Sequence, residues 1–135
     1  MIELELILKL IISIVLGAIV GIEREWTHKP AGLRTHMLVS LGACLFTVIS
    51  VYYFQADPAR VAAGIVTGIG FIGAGSIIAL RGHVQGITTA ASLWAVAGIG
   101  LAIGAGAYLL GIIAAVLVFI ILQIRKVGKS LEIKK

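Results

Sequence analysis

The sequence predicts an all-α, polytopic membrane helix bundle with five transmembrane helices, its N-terminus outside and its C-terminus in the cytosol. The 135 residues are 60% hydrophobic and 13% charged, whereas soluble domains average roughly 45–50% apolar and about 25% charged residues. Mean hydropathy is +1.13. The charged residues cluster between uncharged stretches that are long enough to cross a bilayer, which takes about 20 helical residues.

The uncharged stretches set the first three spans. The first is predicted over residues 4–22, where Lys9 lies near the start and can extend its ammonium group to the membrane surface. The second and third are predicted over residues 35–55 and 61–80. The acidic N-terminus and the absence of a small-residue cleavage pattern argue against a signal peptide, so we expect the first span to be retained.

Two further spans are predicted in residues 84–124, which contain no charged residue. A continuous helix of that length would measure about 60 Å, roughly twice the hydrocarbon core, so the chain must fold back once. Glycine adopts backbone angles that other residues avoid, and a glycine cluster offers the turn: Gly100, Gly104 and Gly106. We expect helices near 86–103 and 107–124.

Orientation follows from the basic residues, which concentrate on the cytosolic side of membrane proteins. With the N-terminus outside, every Lys and Arg except Lys9 and Arg60 falls on the cytosolic side. The chain then divides into a transmembrane domain over 1–124 and a short basic cytosolic tail over 125–135. Because the basic residues lie in short segments between apolar stretches, they indicate membrane topology, and we expect no nucleic-acid partner.

The third span is rich in glycine. Its Gly-x-Gly-x-x-Gly string at 68–73 matches a dinucleotide-binding fingerprint, but it lies inside an apolar segment. No acidic residue occurs between Asp57 and Glu132, so the carboxylate that would bind the ribose is missing. We therefore expect no nucleotide cofactor.

Glycines at this spacing favour close helix packing, because small residues let membrane helices approach one another. The predicted packing residues are Gly17, Gly21, Gly64, Gly68, Gly70, Gly73 and Gly75. The same surface could build a homodimer. The alternative is a third helix that unwinds at mid-membrane, as in transporters whose broken helices hold ions.

The loop between the first two spans mixes acidic and basic residues. Glu23 and Arg34 flank the same membrane boundary, and partly desolvated charges there are costly unless paired. We expect an ion pair between them, with a solvated loop that only sets topology as the alternative. Leu-Arg-x-His occurs at 33–36 and again at 80–83, by chance or as an internal repeat.

A binding rim is predicted on the cytosolic side. Its residues are Glu23, Arg24, Glu25, Arg34, His36, Arg81, Thr88 and Thr89. Arg34, Arg81 and the N-terminus of the fourth helix could bind an anion; alternatively, Thr88 or Thr89 only caps that helix.

Catalytic and metal-binding residue patterns are absent from the sequence. The second half has no carboxylate before Glu132, and the three histidines lack close ligand spacing. We expect no enzyme activity, no metal site and no cofactor.

Four motifs, in this order, resemble the MgtC/SapB family: Gly-Ile-Glu-Arg-Glu at 21–25, Gly-Leu-Arg-Thr-His-Met-Leu-Val at 32–39, Gly-Ile-Gly-Phe-Ile-Gly-Ala-Gly at 68–75 and Gly-Ile-Thr-Thr-Ala-Ala-Ser-Leu-Trp at 86–94. The resemblance covers about residues 4–124 and the membrane domain only; the soluble cytosolic domain of longer members is not expected here. It implies a bacterial inner-membrane protein linked to magnesium limitation and, in pathogens, to survival inside host cells. It also implies a regulator that acts on the F-type ATP synthase.

Magnesium transport receives little support from the residues themselves. Mg²⁺ prefers carboxylate and water ligands, and after Glu25 the spans hold no Asp or Glu except Asp57 at an edge. We therefore predict a membrane regulator or interaction protein. Its expected partners are the lipid bilayer, a second copy of the chain in a dimer, and a membrane protein. The alternative is a small ion transporter or channel built around the third helix.

Overall fold

The computed structural model describes residues 1–54, 57–80 and 83–132. The elements in chain order are α1 Ile2–Trp26, α2 Leu33–Ile49, α3 Pro58–Gly75, β1 Ile78–Leu80, β2 His83–Gln85, α4 Ile87–Gly104 and α5 Tyr108–Glu132. The predicted bundle of five helices is confirmed. Among the described residues, four helices are long and apolar enough to cross a membrane, and the apolar part of α5, Tyr108–Ile124, is slightly shorter.

Glu25 fixes the loop between α1 and α2. Its carboxylate accepts a hydrogen bond from the Leu33 backbone N–H at 2.9 Å, at the helix end where N–H groups lack helical partners. A Cβ atom at Gly32 would meet the Glu25 carboxylate, so a side chain there would have to displace this cap. At its other end, α2 continues into a π-helical turn, Ser50–Phe54.

α3 is a continuous helix at the edge of the bundle. The Asp57 carboxylate caps it by accepting the Arg60 backbone N–H at 3.1 Å, and Pro58 occupies the first helical position, where its missing N–H costs nothing. Only 11% of the residues along its apolar span are buried inside the protein, against 56% for α4. The alternative of a third helix unwound at mid-membrane is wrong, because α3 is helical from Pro58 to Gly75.

A short hairpin that the sequence did not predict connects α3 to α4. The strands pair antiparallel, with Ile78 opposite Gln85, Ala79 opposite Val84 and Leu80 opposite His83. Gly86 follows with φ of 92°, and a Cβ atom there would collide with the Ser76 carbonyl oxygen. The third span therefore ends at Gly75, before the predicted residue 80. The two Leu-Arg-x-His segments differ in structure, since Leu33 begins a helix whereas Leu80 and His83 lie in strands.

The turn predicted inside residues 84–124 is confirmed. α4 ends at Gly104 and α5 begins at Tyr108, with Gly106 between them at φ of 87°. Gly100 and Gly104 lie in α4 and face α2 instead of forming the turn. α5 continues to Glu132, so the helix extends into the segment predicted as a cytosolic tail.

The core lies between α1, α2 and α4, with α5 packed against α1 and α4. The larger buried apolar side chains are Leu16, Val20, Val48, Leu93, Val96, Ile99 and Ile103. We call the end of the bundle where α1 and α3 end and α2 and α4 begin the loop end, and the opposite end the far end.

Candidate functional site

Four of the predicted rim residues meet at the loop end. Glu23 and Arg24 come from the end of α1, His36 from the start of α2 and Thr89 from the start of α4. None of the four is more than 4% exposed, and Ser92, one turn after Thr89, is equally buried. We call these five residues the loop-end cluster. Buried charged and polar groups are stable only when paired, so their contacts decide what the cluster can do.

Arg24 links α1 to α4. Its Nη2 donates to Thr89 Oγ1 at 2.7 Å, and its Nη1 lies 3.8 Å from Glu23 Oε2. Glu23 Oε2 is buried without a hydrogen-bond partner among the described residues, so the guanidinium group supplies the compensating charge. Removing one member of such a buried pair leaves the other uncompensated, which costs about 3–5 kcal/mol.

The predicted ion pair between Glu23 and Arg34 is wrong. Glu23 is buried beside Arg24, whereas Arg34 is exposed. The buried Glu23 and the exposed Arg34 are not among the ion pairs of the described residues. Glu25 instead provides a polar contact between α1 and α2 by capping α2.

His36 links α2 to α4. Its Nδ1 lies 2.9 Å from Gly32 O and its Nε2 lies 3.0 Å from Ser92 Oγ. Because a carbonyl oxygen can only accept, Nδ1 carries a hydrogen. In the neutral ring, Nε2 must therefore accept the Ser92 hydroxyl hydrogen; in the imidazolium, Nε2 donates to Ser92. When Nε2 donates to Ser92, the Ser92 hydroxyl hydrogen goes to Thr89 O, which lies 2.8 Å away.

The other rim residues do not join this cluster. Glu25, Arg34 and Thr88 are exposed at the loop end, and Arg81 lies outside the described residues. The alternative of a capping threonine is wrong, since the N-cap of α4 is Gly86 and no side chain caps it. The proposed anion site depends partly on Arg81 and stays a prediction.

The predicted packing glycines fall into two groups. A Cβ atom at Gly17 would lie 2.8 Å from His36 O, and one at Gly21 would lie 2.8 Å from Leu33 Cα, so α1 and α2 approach closely along both glycines. A Cβ atom at Gly73 would meet Ala90 at 3.5 Å, an ordinary contact. Open space surrounds the remaining four: Gly64, Gly68, Gly70 and Gly75. Their part in helix packing stays a prediction.

Sequence reasoning missed the role of Lys9. The side chain was expected to reach the membrane surface, but it is only 2% exposed and turns into the bundle at the far end. Its Nζ donates to Tyr52 Oη at 2.8 Å and lies 3.2 Å from Glu5 Oε1. The position of Glu5 four residues earlier on the same helix face was the available signal, because an intramembrane lysine needs such a partner.

Hydroxyl groups between the two ends bind backbone carbonyls. Ser40 donates to Ser13 O at 2.7 Å, Ser13 to Leu10 O at 2.7 Å, and Thr47 to Ala43 O at 2.8 Å. Ser13 and Thr47 donate within their own helices, whereas Ser40 links α2 to α1. Because each hydrogen goes to a backbone carbonyl, these hydroxyl groups do not donate to one another in a chain. Within the described ranges, no group of three or more His, Cys, Asp or Glu residues could hold a metal ion.

Comparison with known proteins identifies relatives. The sequence model of the MgtC family matches residues 10–130. YhiD of Escherichia coli K12, whose name proposes magnesium transport, is 42% identical over 129 residues, which are 89% of this chain and 60% of that protein. Protein MgtC of Salmonella typhimurium LT2 is 47% identical over 102 residues, 76% of this chain and 44% of that protein. The chain thus spans less than two thirds of the length of these relatives, and no solved structure matches it.

Proposed function

The chain belongs to the MgtC family and is a multi-pass membrane protein, and from this premise we propose that it is a regulatory protein of the bacterial inner membrane. In this proposal it is linked to magnesium limitation and acts by contacting a membrane complex such as the F-type ATP synthase. It catalyses no reaction of its own.

The observation that carries the proposal is the charge inside the bundle. Among residues with described side chains, the buried charged groups are two cations, Lys9 and Arg24, and one carboxylate, Glu23. The carboxylate is compensated by the adjacent guanidinium group. Mg²⁺ requires several oxygen ligands and sheds its hydration water reluctantly. Lys9 is likewise paired, with Glu5 at 3.2 Å, so among the described side chains the interior offers Mg²⁺ no unpaired carboxylate.

Magnesium transport is the second candidate, favoured by the name of YhiD. In the sequence-based version of this alternative, the pathway forms around the glycines of the third helix. The continuity of α3 gives a pathway through an unwound helix little support. Gly64 and Gly68 line a groove between α2 and α3 whose other walls are mainly apolar side chains such as Leu38, Phe46 and Ile69, and these offer Mg²⁺ no oxygen ligand.

The loop end offers exposed polar groups to a partner. Arg34, Thr88 and Glu25 are exposed there, and charge-assisted hydrogen bonds at a rim discriminate between partners better than an apolar surface does. Because Arg34 is not paired with Glu23, it can serve recognition without a structural role. We also propose the inner membrane as location and the N-terminus-outside orientation.

The test compares Arg34 with Arg24, which also lies at the loop end. Arg34→Ala is expected to abolish growth support under magnesium limitation in a strain that lacks the chromosomal copy, with membrane insertion and expression unchanged by immunoblot. Arg24→Ala is the matched control: it removes a buried link and is expected to lower expression itself. Full growth support by Arg34→Ala at normal expression would contradict a role for this residue in recognition.

Partner contact is tested by a photo-crosslinking residue at position 34 or 88, with immunodetection of ATP synthase subunits. A crosslink from position 88 that an added Arg34→Ala change abolishes supports the proposal, and crosslinks at neither position would contradict it. That the chain forms a homo-oligomer, with a dimer as the simplest form, stays a prediction of its glycine pattern.

A further inference from the structure

The β1–β2 hairpin exposes apolar side chains on both of its faces. Directly opposed residues of an antiparallel pair share a face, so Ile78 lies with Gln85 on one face while Val84 lies on the other. Ile78 is 52% exposed and Val84 is 56% exposed. The bundle therefore covers neither face.

Neighbouring residues extend this apolar surface. Ile77 precedes β1 and Ile87 follows β2, and both are exposed. A hairpin of only two strands is at best marginally stable in water. If this hairpin projected into water, its apolar side chains would stay hydrated. An apolar environment on both faces would instead remove these side chains from water and stabilise the hairpin.

The position of the hairpin between two helices that are long and apolar enough to cross a membrane points to the membrane surface. β1 begins three residues after α3 ends, and α4 begins two residues after β2. Strands of three residues extend about 10 Å, whereas the headgroup layer on each side of the hydrocarbon core is roughly 5–8 Å thick. A tilted hairpin therefore stays within this layer, where water can still bind the unpaired strand edges and acyl chains are within reach.

Charge complementarity identifies the lipid. Without the buried pair of Arg24 and Glu23, the segments on the hairpin's side of the spans hold by sequence eight Lys and Arg against two Glu, and those on the other side hold two against three acidic residues. Basic residues next to a membrane surface attract anionic headgroups. A neutral headgroup layer would not gain from this asymmetry.

We propose that the β1–β2 hairpin is a lipid-binding element that lies in the headgroup layer of its leaflet and associates with anionic phospholipid. Ile78 and Val84 contact the upper acyl chains on either side of the ribbon, and the surrounding basic residues attract the headgroups. The hairpin thereby fixes the height of the loop end relative to the bilayer. This holds whether the protein regulates or transports.

The test places an environment-sensitive NBD label at Val84→Cys in the full chain carrying Cys44→Ala, reconstituted in phosphatidylcholine vesicles with or without phosphatidylglycerol. Ile78→Cys provides a second position, and Val66→Cys on α3 a membrane-embedded reference. We expect blue-shifted emission, quenching by lipids with a nitroxide near the headgroup, and weak quenching by aqueous iodide. Phosphatidylglycerol should strengthen the blue shift, and high salt should reverse that increment.

Two results would overturn the proposal. Strong iodide quenching without lipid-nitroxide quenching at both hairpin positions would place the ribbon in water, free for a protein strand. Identical spectra with and without phosphatidylglycerol would remove the anionic preference. Monodispersity of each labelled variant before reconstitution shows that the signal comes from folded protein.

Discussion

His36 Nε2 and Ser92 Oγ lie 3.0 Å apart, with both side chains buried. The contact joins the first turn of α2 to the start of α4, and the Gly32 carbonyl fixes which ring nitrogen carries the hydrogen. In either protonation state of the ring, Ser92 supplies the complementary hydrogen-bonding group. Ser92 is therefore the residue that keeps a buried histidine satisfied.

Ser92→Ala is expected to destabilise the protein by about 1–3 kcal/mol, because it leaves His36 Nε2 buried without a partner. The measurement is the midpoint of heat denaturation in detergent, followed by size-exclusion chromatography. Thr88→Ala is the control, since Thr88 is exposed on the same helix turn and its removal should change little. A Ser92→Ala protein as heat-resistant as the parent would show that this bond contributes nothing.

The glycines divide into those that touch a neighbouring helix and those that do not. Gly17→Ala is expected to destabilise by about 1–3 kcal/mol, since the new methyl group would be forced against His36 O and Ser40 Cβ. Gly70→Ala is the matched change at an open position and should leave the folded monomer intact. The same chromatography measures both. Equal losses in the two variants would mean that α3 packs where the structure leaves it open.

If the chain dimerises through the open face of α3, a bulky side chain on that face should separate the two copies without unfolding either one. Gly68→Leu should then remain folded but elute as a monomer, whereas the unchanged protein elutes as a dimer. Light scattering in detergent measures the mass directly. Unchanged mass in Gly68→Leu would remove this face from any dimer.

Lys9 and Tyr52 form the corresponding buried contact at the far end, with Nζ 2.8 Å from Oη. Tyr52→Phe is expected to lower the denaturation midpoint because the ammonium group loses a partner, at a cost of about 1–3 kcal/mol. Adding Lys9→Met should restore most of the loss, since replacing a buried charge together with its partner by apolar groups is often neutral. Additive losses in the double variant would show that the two side chains act independently.

The amount that could be predicted from sequence differs between elements. Uncharged stretches of about 20 residues located the helices, because a membrane excludes charge from whole segments. The hairpin was missed because Ile77–Ala79 and Val84 are apolar and continue the pattern of the neighbouring spans. Its two strands are also shorter than the window over which periodicity can be judged.

The candidate site was predicted by residue but not by contact. The structure places Glu23, Arg24, His36 and Thr89 at one end of the bundle, and their position at a membrane surface stays a prediction. Their partners depend on how each helix is rotated about its axis, which charge patterning does not determine. Ser92 lies 56 residues from His36 in the chain, and Arg24 lies 65 residues from Thr89. The buried orientation of Lys9 escaped prediction for the same reason.

Orientation is tested with topology reporters. We expect a fusion after Lys135 to be active only as a cytosolic reporter and one inserted near Asp57 to report the outside, because basic residues concentrate in the segments predicted to be cytosolic. A reporter at Pro30, in the α1–α2 loop, should agree with the C-terminal fusion. A periplasmic signal after Lys135 would contradict the five-span topology.

The most direct test of the central claim, regulation rather than transport, is ion flux through the purified protein. Proteoliposomes that contain the full chain are loaded with fluorescent indicators for Mg²⁺ and H⁺ and assayed in parallel for phosphate, with empty vesicles as the control and an ionophore to show that each indicator responds. We predict rates equal to those of empty vesicles, because among the described side chains the buried charges of Lys9, Arg24 and Glu23 each lie beside an opposite charge and leave no buried carboxylate free to bind Mg²⁺. A saturable Mg²⁺ flux that depends on the protein would contradict the account and establish a transporter.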